Sequence, residues 1–246
     1  MDPRSSVVQK RLEHVNRVIC VASGKGGVGK SMVASHLALS LSKKGRKVGL
    51  LDLDLYGPSI HVILGIRPNS FPEEHCGIIP PVVNSIHFMS VVYFTKDKPG
   101  AFRGDDISNI ILELLAIIQW GELEVLIIDL PPGIGDEILD IIHLVPQAEF
   151  LVVTTPSQVA FRAVEKLLKV LIEVKATLIG VVENMSFKKD TMVVDFCKTE
   201  GVMYLGRLGF DDSLEDAMTF PDRLLRTPFQ REIDSLVHSI GIGNIV

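Results

Sequence analysis

Residues 24–31 read Gly-Lys-Gly-Gly-Val-Gly-Lys-Ser and stand between a β-rich apolar run, 17–23, and a helical pattern, 31–44, that ends in basic residues and Gly45. A strand handed to a helix through such a loop satisfies G-x-x-x-x-G-K-[ST] and is the opening unit of a parallel sheet with helical crossovers. Each residue type has a physical task. Glycines let backbone N–H groups curl around phosphate oxygens, the helix N-terminus contributes the positive end of its dipole, Lys30 supplies a mobile charge, and Ser31 offers a hydroxyl to Mg²⁺. Gly24, Lys25, Gly26, Gly27, Val28, Gly29, Lys30 and Ser31, with Met32 next on the helix, are therefore the expected nucleotide-binding residues.

The rest of the chain keeps the same rhythm. Strand patterns recur at 47–52, 86–94, 124–129, 149–154, 177–183 and 203–207. Between them, the helical pattern at 106–120 carries a stripe of Ile107, Ile110, Ile111, Leu114, Leu115 and Ile118. That at 158–173 carries Val159, Ala163, Val164, Leu167, Leu168 and Leu171, and both stripes read as surfaces packed on a sheet. The alternation predicts a single α/β domain over residues 1–246, with a mostly parallel sheet flanked by helices. The segment 67–81, with Pro68, Pro72, Gly77, Pro80 and Pro81, breaks the pattern and reads as an irregular loop or flap.

Composition narrows the function classes. A hydrophobic content of 47% against 22% charged residues supports a sizeable core and excludes disorder along the whole chain. A net charge of −5 lacks the basic footprint of a nucleic-acid binder, so no nucleic-acid partner is expected and any anion must be held locally. Cys20, Cys76 and Cys197 are odd in number and far apart, which argues against a disulfide scaffold or a zinc ribbon and fits a reducing cytosol. The polar start of the chain and the absence of a long apolar run lead us to expect a cytoplasmic protein with no membrane partner.

Three acids extend the phosphate site. Asp52 and Asp54 end the second strand pattern, where alternation would point both to one side, an arrangement suited to water-mediated Mg²⁺ binding and to positioning an attacking water. Asp129 ends the apolar run 125–129, at the strand edge where an open α/β sheet binds its ligand. The guanine-reading NKxD pattern is absent, since Thr95-Lys96-Asp97-Lys98 comes nearest and lacks the final Asp.

Ser23 to Ser31, with a second lysine at Lys25 directly after the first glycine, resembles the deviant Walker A of the MinD/ParA/Mrp branch of P-loop NTPases, the SIMIBI type. Three further segments resemble that branch in order: 51–59 its switch I, 129–136 (Asp-Leu-Pro-Pro-Gly-Ile-Gly-Asp) the switch II of the Mrp/NBP35 subgroup, and Glu183-Asn184-Met185-Ser186 its ENMS segment. The resemblance runs from about Val18 to Phe210. It implies an ATPase that hydrolyses ATP to ADP in a homodimer closed through the nucleotide. Lys25 would reach the partner's phosphates and Lys30 its own, Ser31 and Asp129 would hold Mg²⁺ with Asp52 in support, and Asp54 would orient the water. Gly133 would sense the γ-phosphate through its N–H, and Asn184 would contact adenine, favouring ATP.

The resemblance also implies work in metallocofactor assembly, with a client or accessory maturation protein as partner. Iron–sulfur carriers of the Mrp/NBP35 subgroup place a C-x-x-C pair shortly after the ENMS segment. Here Phe187-Lys188-Lys189-Asp190-Thr191 follows, with Cys197 alone downstream, which argues against an iron–sulfur cluster bridging two subunits through four thiolates. The subgroup's tryptophan-arginine-glycine-proline segment is altered to Phe102-Arg103-Gly104-Asp105. A nickel-insertion ATPase of archaeal [NiFe]-hydrogenase maturation resembles the chain in keeping the switches without the cysteine pair. Glu73-Glu74-His75-Cys76 could offer ligands to Ni²⁺ or be a solvated acidic loop, and the scattered histidines read as structural or surface residues. The other functional class is a MinD- or ParA-like positioning switch. The acidic balance and a C-terminal helix at about 229–240, whose polar face pairs Arg231 with Glu232 and Asp234, count against it.

Overall fold

The computed structural model describes residues 2–68, 70–95, 104–187 and 192–241, with side chains from 107 onward in the third stretch. The altered pair Phe102-Arg103 and residues 96–98 and 188–191 of the sequence reading lie outside the described residues. The chain enters through α1 (Pro3–Leu12), followed by β1 (Val15–Ala22), α2 (Lys30–Lys43), β2 (Val48–Asp52), α3 (Ile60–Ile63), β3 (Val82–Val83) and β4 (Ile86–Ser90). It continues with α4 (Val92–Thr95), α5 (Gly104–Ile117), β5 (Leu123–Asp129), α6 (Asp136–Leu144), β6 (Ala148–Thr154), α7 (Gln158–Glu173) and β7 (Thr177–Ser186). It closes with α8 (Met192–Glu200), β8 (Tyr204–Gly209), α9 (Ser213–Ala217), α10 (Pro221–Leu224) and α11 (Pro228–Ser239).

The strands form one eight-stranded sheet in the order β3-β4-β2-β5-β1-β6-β7-β8, parallel except for β3. β1, β2, β5 and β6 are buried over nearly their whole length, as a sheet covered on both faces requires. Parallel crossovers are right-handed, so the direction in which successive strands are laid down fixes which face each helix covers. From β1 to β2 to β4 the chain moves one way, and from β4 to β5 to β6, β7 and β8 it moves back. The crossover after β1 and the crossover after β5, its neighbour, therefore leave to opposite faces and open a crevice at the strands' C-terminal ends.

Several local expectations are corrected. The strand pattern 86–94 stops at Ser90, whose hydroxyl accepts the Val92 N–H at 3.4 Å and starts the helical turn α4. Val159 is 71% exposed, so the stripe of α7 is begun by Ala160 and Phe161. The segment 67–81 is irregular yet anchored: Ile78 bridges to Ile118, and Arg11 donates to the carbonyls of Cys76 at 2.7 Å and Ala116 at 3.0 Å. α11 buries Phe229, Ile233, Leu236 and Val237 against α2 and β8, so its apolar face is core. Among the described residues, no helix is long and apolar enough to cross a membrane.

Candidate functional site

The loop between β1 and α2 turns through two left-handed glycines, Gly27 at φ 77° and Gly29 at φ 80°, the second capping α2. Gly29 has a second reason to be glycine, because a Cβ there would lie 2.2 Å from the Asn184 amide nitrogen. Gly24 is pressed against the backbone of α7 at Ala163 and leaves no room for a side chain. Ser23, Lys25, Gly26, Gly27, Val28, Gly29, Lys30, Ser31 and Met32 line one cavity of about 380 Å³, joined by Asp54, Gly57, Ser59 and Pro132 from neighbouring loops. The loop lines a concave space, as phosphate binding requires.

At its floor Lys30, 6% exposed, donates to Asp129 Oδ1 at 2.7 Å, and Asp129 is wholly buried. Burial pushes the Asp129 carboxyl above the ordinary carboxylate range, while Lys30 and the Ser31 hydroxyl pull it back toward the charged form. Its second oxygen, Oδ2, is buried with no hydrogen-bond partner. A buried carboxylate oxygen beside a serine hydroxyl is a hard-oxygen donor set of the kind Mg²⁺ takes, and the ion would satisfy the orphaned atom.

Asp52 pairs in register with Asp129 on the adjacent strand and is also fully buried. Burial, reinforced by the neighbouring Asp129 charge, raises its pKa well above the ordinary value. Its oxygens accept the backbone N–H groups of Asp54 at 3.1 Å and Ile60 at 3.3 Å, so Asp52 ties down both ends of the loop between β2 and α3. The expectation that Asp52 and Asp54 share one side of a strand is corrected, because β2 ends at Asp52. Asp54 lies beyond it, lines the phosphate cavity, and accepts the Gly57 N–H at 3.0 Å.

Gly133, at φ 109°, directs its N–H to the Ser23 carbonyl at 2.9 Å. The donor expected to meet a γ-phosphate is thus bonded to the residue that precedes the phosphate loop. Asn184 is buried, its Nδ2 donating to the Val28 carbonyl at 2.9 Å and its Oδ1 left without a partner. It lines a second cavity of about 390 Å³ with Met185, Phe210, Asp211, Leu214 and Phe229, and this cavity shares Gly29, Met32 and Met218 with the first. Sequence reasoning missed these roles for Met185, Met218 and Phe210: Met185 lies within the 183–186 segment at the end of β7, while Phe210, directly after β8, and Met218, directly after α9, carry no motif. A cleft of about 770 Å³ beyond α3, lined by His61, Arg67, Phe71 and Phe220 among others, contains none of the predicted site residues.

A family model described as the NUBPL iron-transfer P-loop NTPase, of the ParA group, matches residues 14–233. The chain belongs to this family. The iron-sulfur cluster carrier protein of Saccharolobus solfataricus is 42% identical over 186 residues, covering 73% of this chain and 62% of that protein. The protein of the same name from Methanocaldococcus jannaschii is 36% identical over 226 residues, covering 85% and 78%. This P-loop NTPase therefore spans about three fifths of the length of the first relative. Among solved structures, a nucleotide-binding protein from Archaeoglobus fulgidus in complex with ADP superimposes with a TM-score of 0.78 at 28% identity, over 93% of this chain and 96% of that one. The MinD protein of Pyrococcus horikoshii with Mg-ADP, at TM-score 0.68 and 18% identity over 94% and 99%, shares the fold.

The thiols of this family member fit a shared four-thiolate cluster poorly. Cys20 and Cys197 are buried, and burial raises both pKa values, that of Cys197 to about 11, while Cys76 alone is exposed. Among the described residues no three His, Cys, Asp or Glu side chains come together as a metal-binding group, and the Glu73 to Cys76 run forms none.

Proposed function

We propose that the chain is an Mg²⁺-dependent ATPase of the cytosol, active as a nucleotide-closed homodimer, that serves metallocofactor assembly. The observation that carries the reading is the buried Lys30–Asp129 pair under a glycine loop, with one oxygen of Asp129 unpartnered. Ser31 and Asp129 would hold the ion, with Asp52 in its outer surroundings. Mg²⁺ there would neutralise charge on the transferred phosphoryl group. The chain's own residues do the rest: Lys30 turns from Asp129 to the phosphates, Asp54 orients the water, and Gly133 exchanges the Ser23 carbonyl for a γ-phosphate oxygen. Such an exchange makes switch II sensitive to hydrolysis.

Base preference follows from Asn184. With Nδ2 committed to Val28, the group left for a base is an acceptor, Oδ1, which suits the amino group of adenine and faces a like acceptor in guanine O6. Dimer closure is supported by apolar side chains exposed near the strands' C-terminal ends: Tyr56 and Ile134 on loops and Val159 in the first turn of α7. Lys25 lines the cavity and its ammonium makes no ion pair with a described residue, so it is available to a second copy.

ATPase assays of wild type and Lys25→Ala, paired with ADP-binding titrations, test the closed dimer. Turnover should fall at least tenfold with binding nearly retained, and wild-type turnover in the variant would overturn the role in trans. Anaerobic loading scored for iron, sulfide and nickel, with and without Mg-ATP, tests the cargo. Stoichiometric iron and sulfide would indicate cluster carriage, nickel alone would indicate insertion into a nickel enzyme, and neither would refute metal handling by this chain.

A further inference from the structure

Two phenylalanines stand at the mouth of the second cavity with no task in the mechanism above. Phe187, directly after β7, is 73% exposed, and Phe210, directly after β8, is 56% exposed. Their rings stack on each other with centroids 4.9 Å apart at 27°. Phe210 is in the cavity wall with Asn184 and Gly29, whereas Phe187 is outside it. Leaving two large apolar faces to water is unfavourable, and the pair gains only a mutual contact in return.

We propose that Phe210 is the stacking wall for the purine base and that Phe187 is the positioning residue that holds the Phe210 ring against the cavity. The inference rests on the nucleotide reading given above and adds the residues that grip the base. Asn184 reads one edge of the ring and Met32, Met185 and Met218 supply polarisable contacts, but none of these offers a flat aromatic face. Phe210 does, and π-faces are shared by all bases, so the stack contributes affinity while Asn184 contributes selectivity.

The test uses the full chain with Mg-ADP, reading affinity and the NMR shifts of the adenine H2 and H8 protons, with inorganic pyrophosphate as a probe of the phosphate loop alone. In wild type the ring protons should move upfield on binding. Phe210→Leu should lose that movement and bind ADP about tenfold more weakly, with pyrophosphate affinity unchanged, and Phe210→Tyr should restore both. Phe187→Leu should reduce the upfield movement while leaving pyrophosphate binding intact, which a merely structural loss would not do. Equal ADP affinity and equal shifts in wild type and Phe210→Leu would overturn the stacking wall alone. Failure of wild type to bind ADP would overturn the ATP reading and the wall together.

Discussion

Lys30 shows how one side chain serves both folding and chemistry. Its ammonium compensates the buried Asp129 carboxylate, which pairs with no other cation among the described residues. Lys30→Ala should therefore cost about 3 kcal/mol of stability at pH 7, in the range for a buried pair broken on one side. Asp129 is raised by burial, so it takes up a proton as pH falls and the uncompensated charge disappears. The penalty should shrink as pH falls below 7, and urea unfolding of wild type and variant at pH 7 and at a lower pH checks it. The residues of this pair were legible in the sequence because they end or begin a strand–loop–helix unit at fixed spacing. The backbone partners of the neighbouring site residues were not legible, because a motif names residues and not the groups that long-range packing brings to them. Gly133, the expected γ-phosphate sensor, donates to the Ser23 carbonyl, while Asn184 donates to the Val28 carbonyl and keeps its Oδ1 unpartnered. Gly29→Ala illustrates the constraint, since its Cβ would enter the Asn184 amide at a left-handed φ. That variant should lose ADP binding by at least tenfold, read by the same titration.

At the scale of elements, α2 and α11 are joined by a polar seam inside an otherwise apolar contact. His36 Nδ1 lies 2.7 Å from Gln230 Oε1, Gln230 Nε2 donates to Asp234 Oδ1 at 3.0 Å, and the Ser40 hydroxyl also bonds Asp234. The His36 ring meets Phe229 edge-on, and burial lowers its pKa to about 4, with Gln230, Asp211 and Asp234 opposing the shift. The folded value lies below the unfolded value of 6.5, so unfolded chains bind the proton more readily between these limits. The stability contributed by neutral His36 is present above pH 6.5 and is lost as pH falls toward 4, by about 3 kcal/mol. Thermal unfolding followed from pH 7.5 to 4.5 should show this loss in wild type and a shallower slope in His36→Gln. The helices and strands themselves were mostly legible from apolar period. The exceptions had side-chain causes: Ser90 ends a strand that the pattern would continue, and the edge hairpin Val82 to His87 turns through Asn84 and Ser85, both at positive φ. A two-residue turn of that kind favours asparagine, so the signal was present but short.

For the whole molecule, the two cavities meet at Gly29, Met32 and Met218, so a single ligand with a phosphate tail and an apolar ring would join α2 to the segment after α9. A ligand that binds the folded state alone stabilises it by mass action, by about 2.7 kcal/mol at a hundredfold excess over Kd. For a chain of 246 residues this corresponds to a rise in Tm of roughly 5–10 °C. Mg-ADP should produce that rise and Mg-GDP at equal concentration a smaller one. Parallel architecture and the nucleotide edge were legible in the sequence, whereas the strand order and the convergence of Met218 and Phe210 on the base cavity depend on long-range packing. The order of the sheet has a consequence for how the protein is made. β1 lies at its centre, yet both strands that flank it, β5 and β6, follow it by about a hundred residues or more. A chain emerging from the ribosome thus carries its phosphate loop on an unpaired strand while about a hundred further residues are made. Nucleotide binding should begin only once β5 has been delivered, making Asp129 the residue that marks the birth of the site.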